Sequence, residues 1–200
     1  APGQNGDGTA PTITSITNDS GTAGDFITND QTLIFNGTAG AGDIVTVKLN
    51  GVTLGTATAN GAGVWSYDYT GTTIANGTHT LAASTTDIAG NTATASQAIT
   101  IDTNAPGQNG DGTAPAITSI TNDSGTAGDF ITNDQTLIFN GTAGAGDVVT
   151  VKLDGVTLGT ATANGAGVWS YDYTGTTIAN GTYTLAASTT DIAGNTATAS

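Results

Sequence analysis

Ile44-Val45-Thr46-Val47-Lys48-Leu49-Asn50-Gly51-Val52-Thr53-Leu54-Gly55-Thr56-Ala57-Thr58-Ala59 reads as two strands joined by a two-residue turn. The run Ile44 to Leu49 is rich in β-branched residues, which suit a pleated, half-buried surface. Asn50-Gly51 supplies the positive backbone angles of a tight hairpin. The stretch returns 104 residues later as Val148 to Ala163, changed only at Val148 and Asp154. Asparagine and aspartate both tolerate such angles, so the Asn50/Asp154 exchange marks a turn and not a metal ligand.

The same period of 104 governs the whole chain: Ala1 to Pro11 recurs unchanged as Ala105 to Pro115. Over the 96 positions that align, only Thr12/Ala116, Ile44/Val148, Asn50/Asp154 and His79/Tyr183 differ. Copies this alike fold alike, and about 95 residues is enough for one modest core. The expected organisation is a first repeat at 1–103, a linker at 104–113 and a second repeat at 114–200. The second copy stops at Ser200 and lacks the counterpart of Gln97 to Asn104, so its last strand is expected to be short.

Outward from the hairpin, Ile13 and Ile16 mark a strand A, and Leu33 and Phe35 a strand B. The opening stretch holds strands C and D. Asn60-Gly61 turns the chain into strand E, where Trp65, Tyr67 and Tyr69 alternate with Val64, Ser66 and Asp68 and face the core. His79, Leu81 and Ala83 share one face of strand F, and Thr92 to Asp102 forms strand G. Seven strands punctuated by turn residues predict an all-β fold: two tandem immunoglobulin-like Greek-key β-sandwiches joined by a short linker. His79 is the chain's one histidine, and Tyr183 replaces it in a near-identical copy. A corner hydrogen bond near the start of strand F fits that exchange better than catalysis or metal ligation.

All sixteen acidic residues are aspartate, the only cations are Lys48 and Lys152, and the net charge is -14. Polyphosphate and anionic headgroups need a positive surface, so nucleic-acid and membrane-surface roles are excluded. No stretch approaches the roughly 20 apolar residues of a bilayer span, and the first residues lack a signal-peptide pattern. A secretion address is therefore expected elsewhere in a longer parent. Without cysteine there is no disulfide and no thiol nucleophile. The 30 glycines and 43 threonines do not make the chain disordered, because its apolar residues alternate too regularly.

The aspartates gather in loops. The A–B loop, Asn18 to Asp30, lies at the pole where strand G ends, so Asp19, Asp25 and Asp30 are expected to approach Asp102. The B–C loop ending at Asp147 and the F–G loop holding Asp191 lie at the opposite pole of the second copy, where the linker's Asp111 arrives. Seven carboxylates thus crowd one junction, and the wider ligand set takes in the repeat equivalents Asp7, Asp43, Asp87, Asp123, Asp129 and Asp134. Left bare, such a cluster repels itself. Calcium resolves the repulsion, since it takes six to eight oxygens in flexible geometry from short aspartates and freed carbonyls. Zinc, copper and iron lack soft or imidazole ligands here, and magnesium keeps its waters. The plainer reading is that the aspartates cap turns and keep the surface soluble. Asp68 and Asp172 are read as solvated only.

Three other signals lead nowhere. Asp19-Ser20-Gly21-Thr22 and Asp123-Ser124-Gly125-Thr126 look like aspartic-protease loops, but those need two carboxylates sharing a proton across one cleft. Gly37 to Asp43 is glycine-rich, yet no lysine or helix start follows, so it does not cradle phosphate. Asn-X-Ser/Thr triplets at Asn18, Asn36 and Asn76 matter only in a host that glycosylates secreted proteins.

Asp111-Gly112-Thr113-Ala114-Pro115, Asn122-Asp123-Ser124-Gly125, Asp129-Phe130-Ile131-Thr132-Asn133-Asp134, Trp169-Ser170-Tyr171 and Thr190-Asp191-Ile192-Ala193-Gly194-Asn195 carry a further reading. In these motifs the whole chain resembles the bacterial immunoglobulin-like extender repeats of giant RTX adhesins, and most of all the 104-residue calcium-dependent extenders of ice-binding adhesins. The resemblance implies type I secretion to the cell surface of a Gram-negative bacterium, Ca2+ at the joints, and identical repeats in the same chain as the immediate partners. It implies a monomeric, non-enzymatic spacer whose distal contact with ice, a surface or another cell is made by other domains. The rival is a binding module for ice or sugar, suggested by Thr56-Ala57-Thr58 and Thr92-Ala93-Thr94, although threonine also favours ordinary strands.

Overall fold

The computed structural model describes residues 9–109 and 111–200. Every regular element among them is a β-strand, and no helix is long and apolar enough to cross a membrane. The chain divides into two compact units, the first built on residues up to Thr103 and the second on Asn104–Asp191 with Asn195–Ser200.

In the first unit the order is β1 (Thr12–Ile16), β2 (Ile27–Thr28), β3 (Ile34–Thr38), β4 (Ile44–Leu49), β5 (Val52–Thr58), β6 (Val64–Asp68), β7 (Gly77–Thr86) and β8 (Thr92–Ile101). One sheet runs β1-β3-β6 and the other β2-β8-β7-β4-β5. The β4–β5 hairpin turns on Asn50 and Gly51 at φ 51° and 81°, as the opening sequence predicts. Inward-facing Leu33, Phe35, Val45, Val47, Trp65 and Leu81 are all but fully buried between the sheets. Burying a side chain of this size contributes about 1.5–3 kcal/mol. Trp65 covers the backbone of Gly37, where any Cβ would collide with its indole and with the Thr12 carbonyl. The indole nitrogen donates to the Thr38 carbonyl at 3.2 Å, so the buried ring leaves no polar atom unpaired.

The first unit carries one strand more than the seven expected. The loop after β1 bends back as β2 and pairs in parallel with the end of β8, Ile27 beside Thr100 and Thr28 beside Ile101. Thr100 and Asp102 donate their amides to the Phe26 and Thr28 carbonyls, each at 2.9 Å. Phe26 reaches this position at φ 63°, a left-handed conformation costly for a bulky residue. Its ring packs on the core, which offsets the strain.

The second unit has β9 (Ala116–Ile120), β10 (Ile138–Thr142), β11 (Val148–Leu153), β12 (Val156–Thr162), β13 (Val168–Asp172), β14 (Leu185–Thr190) and β15 (Thr196–Ala199), in sheets β13-β10-β9 and β12-β11-β14-β15. β15 has four residues where β8 has ten, as the sequence implies. Two further changes follow that the sequence reading did not foresee. β14 starts at Leu185, whereas its counterpart β7 starts at the equivalent of Gly181. No equivalent of β2 forms, and Phe130 and Ile131 are 44% and 70% exposed.

Candidate functional site: the aspartate loops

Asn18 to Asp30 forms a self-bonded loop at the end of the first unit where β8 finishes. Asn18 at φ 50° starts it, and Asp30 closes it by accepting on Oδ2 from the Asn18 side-chain Nδ2 at 2.6 Å. Thr28, fully buried, donates to the Asn18 carbonyl and accepts from the Asp30 amide, while Ser20 accepts from the Asn29 amide. Sequence reasoning missed Thr28 and Ser20 as organisers; Ser20 stood in the set-aside Asp-Ser-Gly-Thr motif.

Each aspartate has a distinct job. Asp19 takes the Gly24 amide on Oδ2 at 2.6 Å, and Asp25 takes the Ile27 amide on Oδ1 at 2.9 Å. Their other oxygens, Asp19 Oδ1 and Asp25 Oδ2, are buried and have no hydrogen-bond partner. A buried carboxylate oxygen without a donor is costly, so these two atoms fit the donor set of a hard cation. Asp30 differs. Partial burial works to raise its pKa, but hydrogen bonds from the Asn18 side chain and from Thr32 outweigh it and hold the carboxyl below its ordinary 3.8. Asp102 follows β8 directly, and its amide binds this loop through Thr28.

The second unit repeats the pattern with less order. Asp123 keeps the Gly128 amide on Oδ2, and its Oδ1 is again buried and unpartnered. Asp129 caps Ile131, and Asp134 accepts from Asn122 and Thr136, hydrogen bonds that lower its pKa. At the other end of this unit, Asp111 and Asp191 each offer a carboxylate oxygen within 4.8 Å of the other. Asp191 also accepts the Asn195 amide and side chain at 2.8 and 2.9 Å. Asp111 lies in a tight turn, its amide bonded to the Gln108 carbonyl at 2.8 Å.

Several expected ligands are engaged locally. Asp43 and Asp147 accept from Gly40 and Gly144 within their own turns, each at 3.0 Å. Asp87 binds Asn91 through both carboxylate oxygens. The cause in each case is a glycine or asparagine three or four residues away that presents a nearby N–H. Asp7 lies outside the described residues. Asp68 and Asp172 cap Thr70 and Thr174 on the outer face, which lowers their pKa. His79 donates from Nε2 to the Ala75 carbonyl at 2.8 Å and accepts at Nδ1 from Asn50, so both ring nitrogens are engaged in closing a corner.

Residues 8–103 and 113–200 each match the sequence model of the bacterial Ig-like domain. The chain belongs to the bacterial Ig-like domain family. Among solved structures, this bacterial Ig-like pair is similar to a Ca2+-stabilised adhesin that helps an Antarctic bacterium reach out and bind ice. The two are 28% identical with TM-score 0.48, over 95% of this chain and 48% of that one. It is also similar to a 1.5-MDa bacterial ice-binding adhesin, at 25% identity and TM-score 0.46, over 95% of this chain and 62% of the other. A tetra-tandem repeat from the extending region of a large adhesion protein matches at 25% identity and TM-score 0.35, over 96% and 47%. The chain thus spans about half to two-thirds of the length of these structures. Comparison with curated proteins gives no match.

Proposed function

We propose that this chain is a spacer of a bacterial cell-surface adhesin, two bacterial Ig-like repeats that hold a distal adhesion domain away from the cell. Calcium is the ion that stiffens it. The observation that carries the calcium reading is the pair of buried, donor-less oxygens, Asp19 Oδ1 and Asp25 Oδ2. Asp19, Asp25 and Asp102 would hold an ion at the first repeat's loop, with Asp123 and Asp129 as the weaker equivalents. Asp111 and Asp191, already close enough to share an ion, would hold another at the joint, with Asp102 as a further ligand. Bound calcium would neutralise carboxylates in a chain of net charge -14 and favour the few interdomain angles that complete its shell.

A spacer needs repeated, self-sufficient modules and no reactive centre. The near-identity of the two repeats and their lack of cysteine or a shared catalytic pair support this, as does the resemblance to adhesin extenders. Secretion to the outside of a Gram-negative cell by a type I system belongs to the same proposal. Small-angle scattering with chelator and then with calcium tests it, together with calorimetric titration of the wild type and of Asp102→Ala and Asp111→Ala. A longer particle in calcium and fewer bound ions in both variants is the expected result. Identical scattering curves with no binding heat would sink it.

A further inference from the structure

The turn between β5 and β6 closes on one side chain. Asn60 accepts on Oδ1 from two backbone amides, Ala62 at 2.9 Å and Val64 at 3.0 Å. The main chain around it is held as well, with the Asn60 amide on the Val64 carbonyl and the Gly63 amide on the Asn60 carbonyl, each at 2.8 Å. The second repeat rebuilds this turn between β12 and β13, where Asn164 Oδ1 takes the Ala166 amide at 2.9 Å and the Val168 amide at 3.1 Å. Gly61 and Gly165, the next residues in the chain, are exposed, with open space where a Cβ would stand. Among the described residues, their amides donate to no other group.

We propose that Asn60-Gly61 and Asn164-Gly165 are self-modifying sites, at which the fold itself promotes deamidation of the asparagine. The Gly61 nitrogen, after losing its proton to water or hydroxide, adds to Asn60 Cγ. The Cγ–Nδ2 bond then breaks, releasing ammonia and leaving a cyclic imide. Water opens the imide at either carbonyl to give aspartate or isoaspartate, so the net change is water in and ammonia out. The hydrogen bond from the Ala62 amide to Oδ1 closes a ring that already contains every atom the imide joins, Cγ, Cβ, Cα and C of Asn60 and N of Gly61. Negative charge develops on Oδ1 during the addition, and the two N–H donors stand at the distance that stabilises such an oxyanion. Other asparagine-glycine pairs lack this arrangement. Gly37, after Asn36, is buried in β3 and paired with Trp65. Asn50 has one donor on Oδ1, the Thr80 amide, and its side-chain nitrogen is bonded to His79. The aspartate product suits a turn of this fold, since Asp154 stands where Asn50 does and accepts the Thr184 amide as Asn50 accepts that of Thr80. Each conversion adds one negative charge to a chain already at -14.

The test ages the 200-residue chain in mildly alkaline buffer with chelator, so that its outcome is independent of calcium and of the spacer reading. A matched sample is aged in concentrated urea. A protease that cuts after leucine and aromatic residues releases the peptide 55–65, which is identical to 159–169, so mass spectrometry with chromatographic separation of the isoaspartyl form reads the two turns together. The strand sites Asn36 and Asn140 are read from their own peptides. In the folded chain the turn peptide should convert at least about tenfold faster than the strand peptides, and no more slowly than it does in urea, where all of these sites should converge. A turn peptide that converts more slowly folded than in urea, or only at the pace of the strand peptides, overturns the proposal.

Discussion

Tyr183 donates its hydroxyl to the carbonyl oxygen of Ala179 at 3.0 Å, closing the corner ahead of β14. His79 closes the equivalent corner on Ala75. The two side chains are interchangeable parts, so His79→Tyr should change the first repeat's stability by less than about 0.5 kcal/mol. Tyr183→Phe should cost roughly 0.5–1 kcal/mol, at the low end for a hydrogen bond because the corner is exposed. Chemical denaturation followed by tryptophan fluorescence measures both, and a loss above about 2 kcal/mol in His79→Tyr would assign the histidine another role.

Gly37 and Gly141 sit against Trp65 and Trp169 with no room for a methyl group. Gly37→Ala should therefore destabilise the first repeat by about 1–3 kcal/mol through overpacking. Gly61, with open space around its Cα, is the control: Gly61→Ala should change stability little.

Asp30 gives the first repeat a defined acid response. Its folded pKa lies below 3.8, so the folded state binds this proton less readily than the unfolded one. Its contribution is complete above 3.8 and is lost as pH falls through the lower folded value. Asp30→Asn should flatten the decline of stability below about pH 4, as read from denaturant midpoints across pH. An unchanged acid limb would show that Asp30 carries none of it.

Calcium should raise the unfolding midpoint of the first repeat, by about 2.7 kcal/mol when the ion is at a hundred times its dissociation constant. Asp19→Asn keeps the shape of the side chain and removes the charge, so it should abolish most of that gain. Asp68→Asn, an exposed turn cap, should leave the gain intact. The second repeat, with a single buried unpartnered oxygen in its loop, should gain less.

The hairpin from Ile44 to Thr58, the inward aromatics of β6 and the shared corner were legible because they rest on local rules: turn angles, period-two alternation and one side chain standing in for another. β2 was not. Its two residues are strand only because Thr100 and Asp102 reach them across the fold, and Phe26 takes a conformation its side chain disfavours. The approach of the Asn18–Asp30 loop to the end of β8 was readable from strand order, but the hydrogen-bond partner of each aspartate was not. Asp43 and Asp147 turn inward to glycine amides three residues back, and that choice depends on the curl of a loop that spacing does not encode.

The strand order of the first repeat also decides how it meets a pull. β1 starts at one pole and β8 ends at the other, and β8 is held to β7 by ten consecutive register pairs as well as by β2. Tension applied at the two ends acts along the strands, so the bonds of the ladder are sheared together and not peeled one after another. A tether made of such links resists sudden drag by sharing load across a whole strand, and the two-residue clasp of β2 sits where that load leaves the fold.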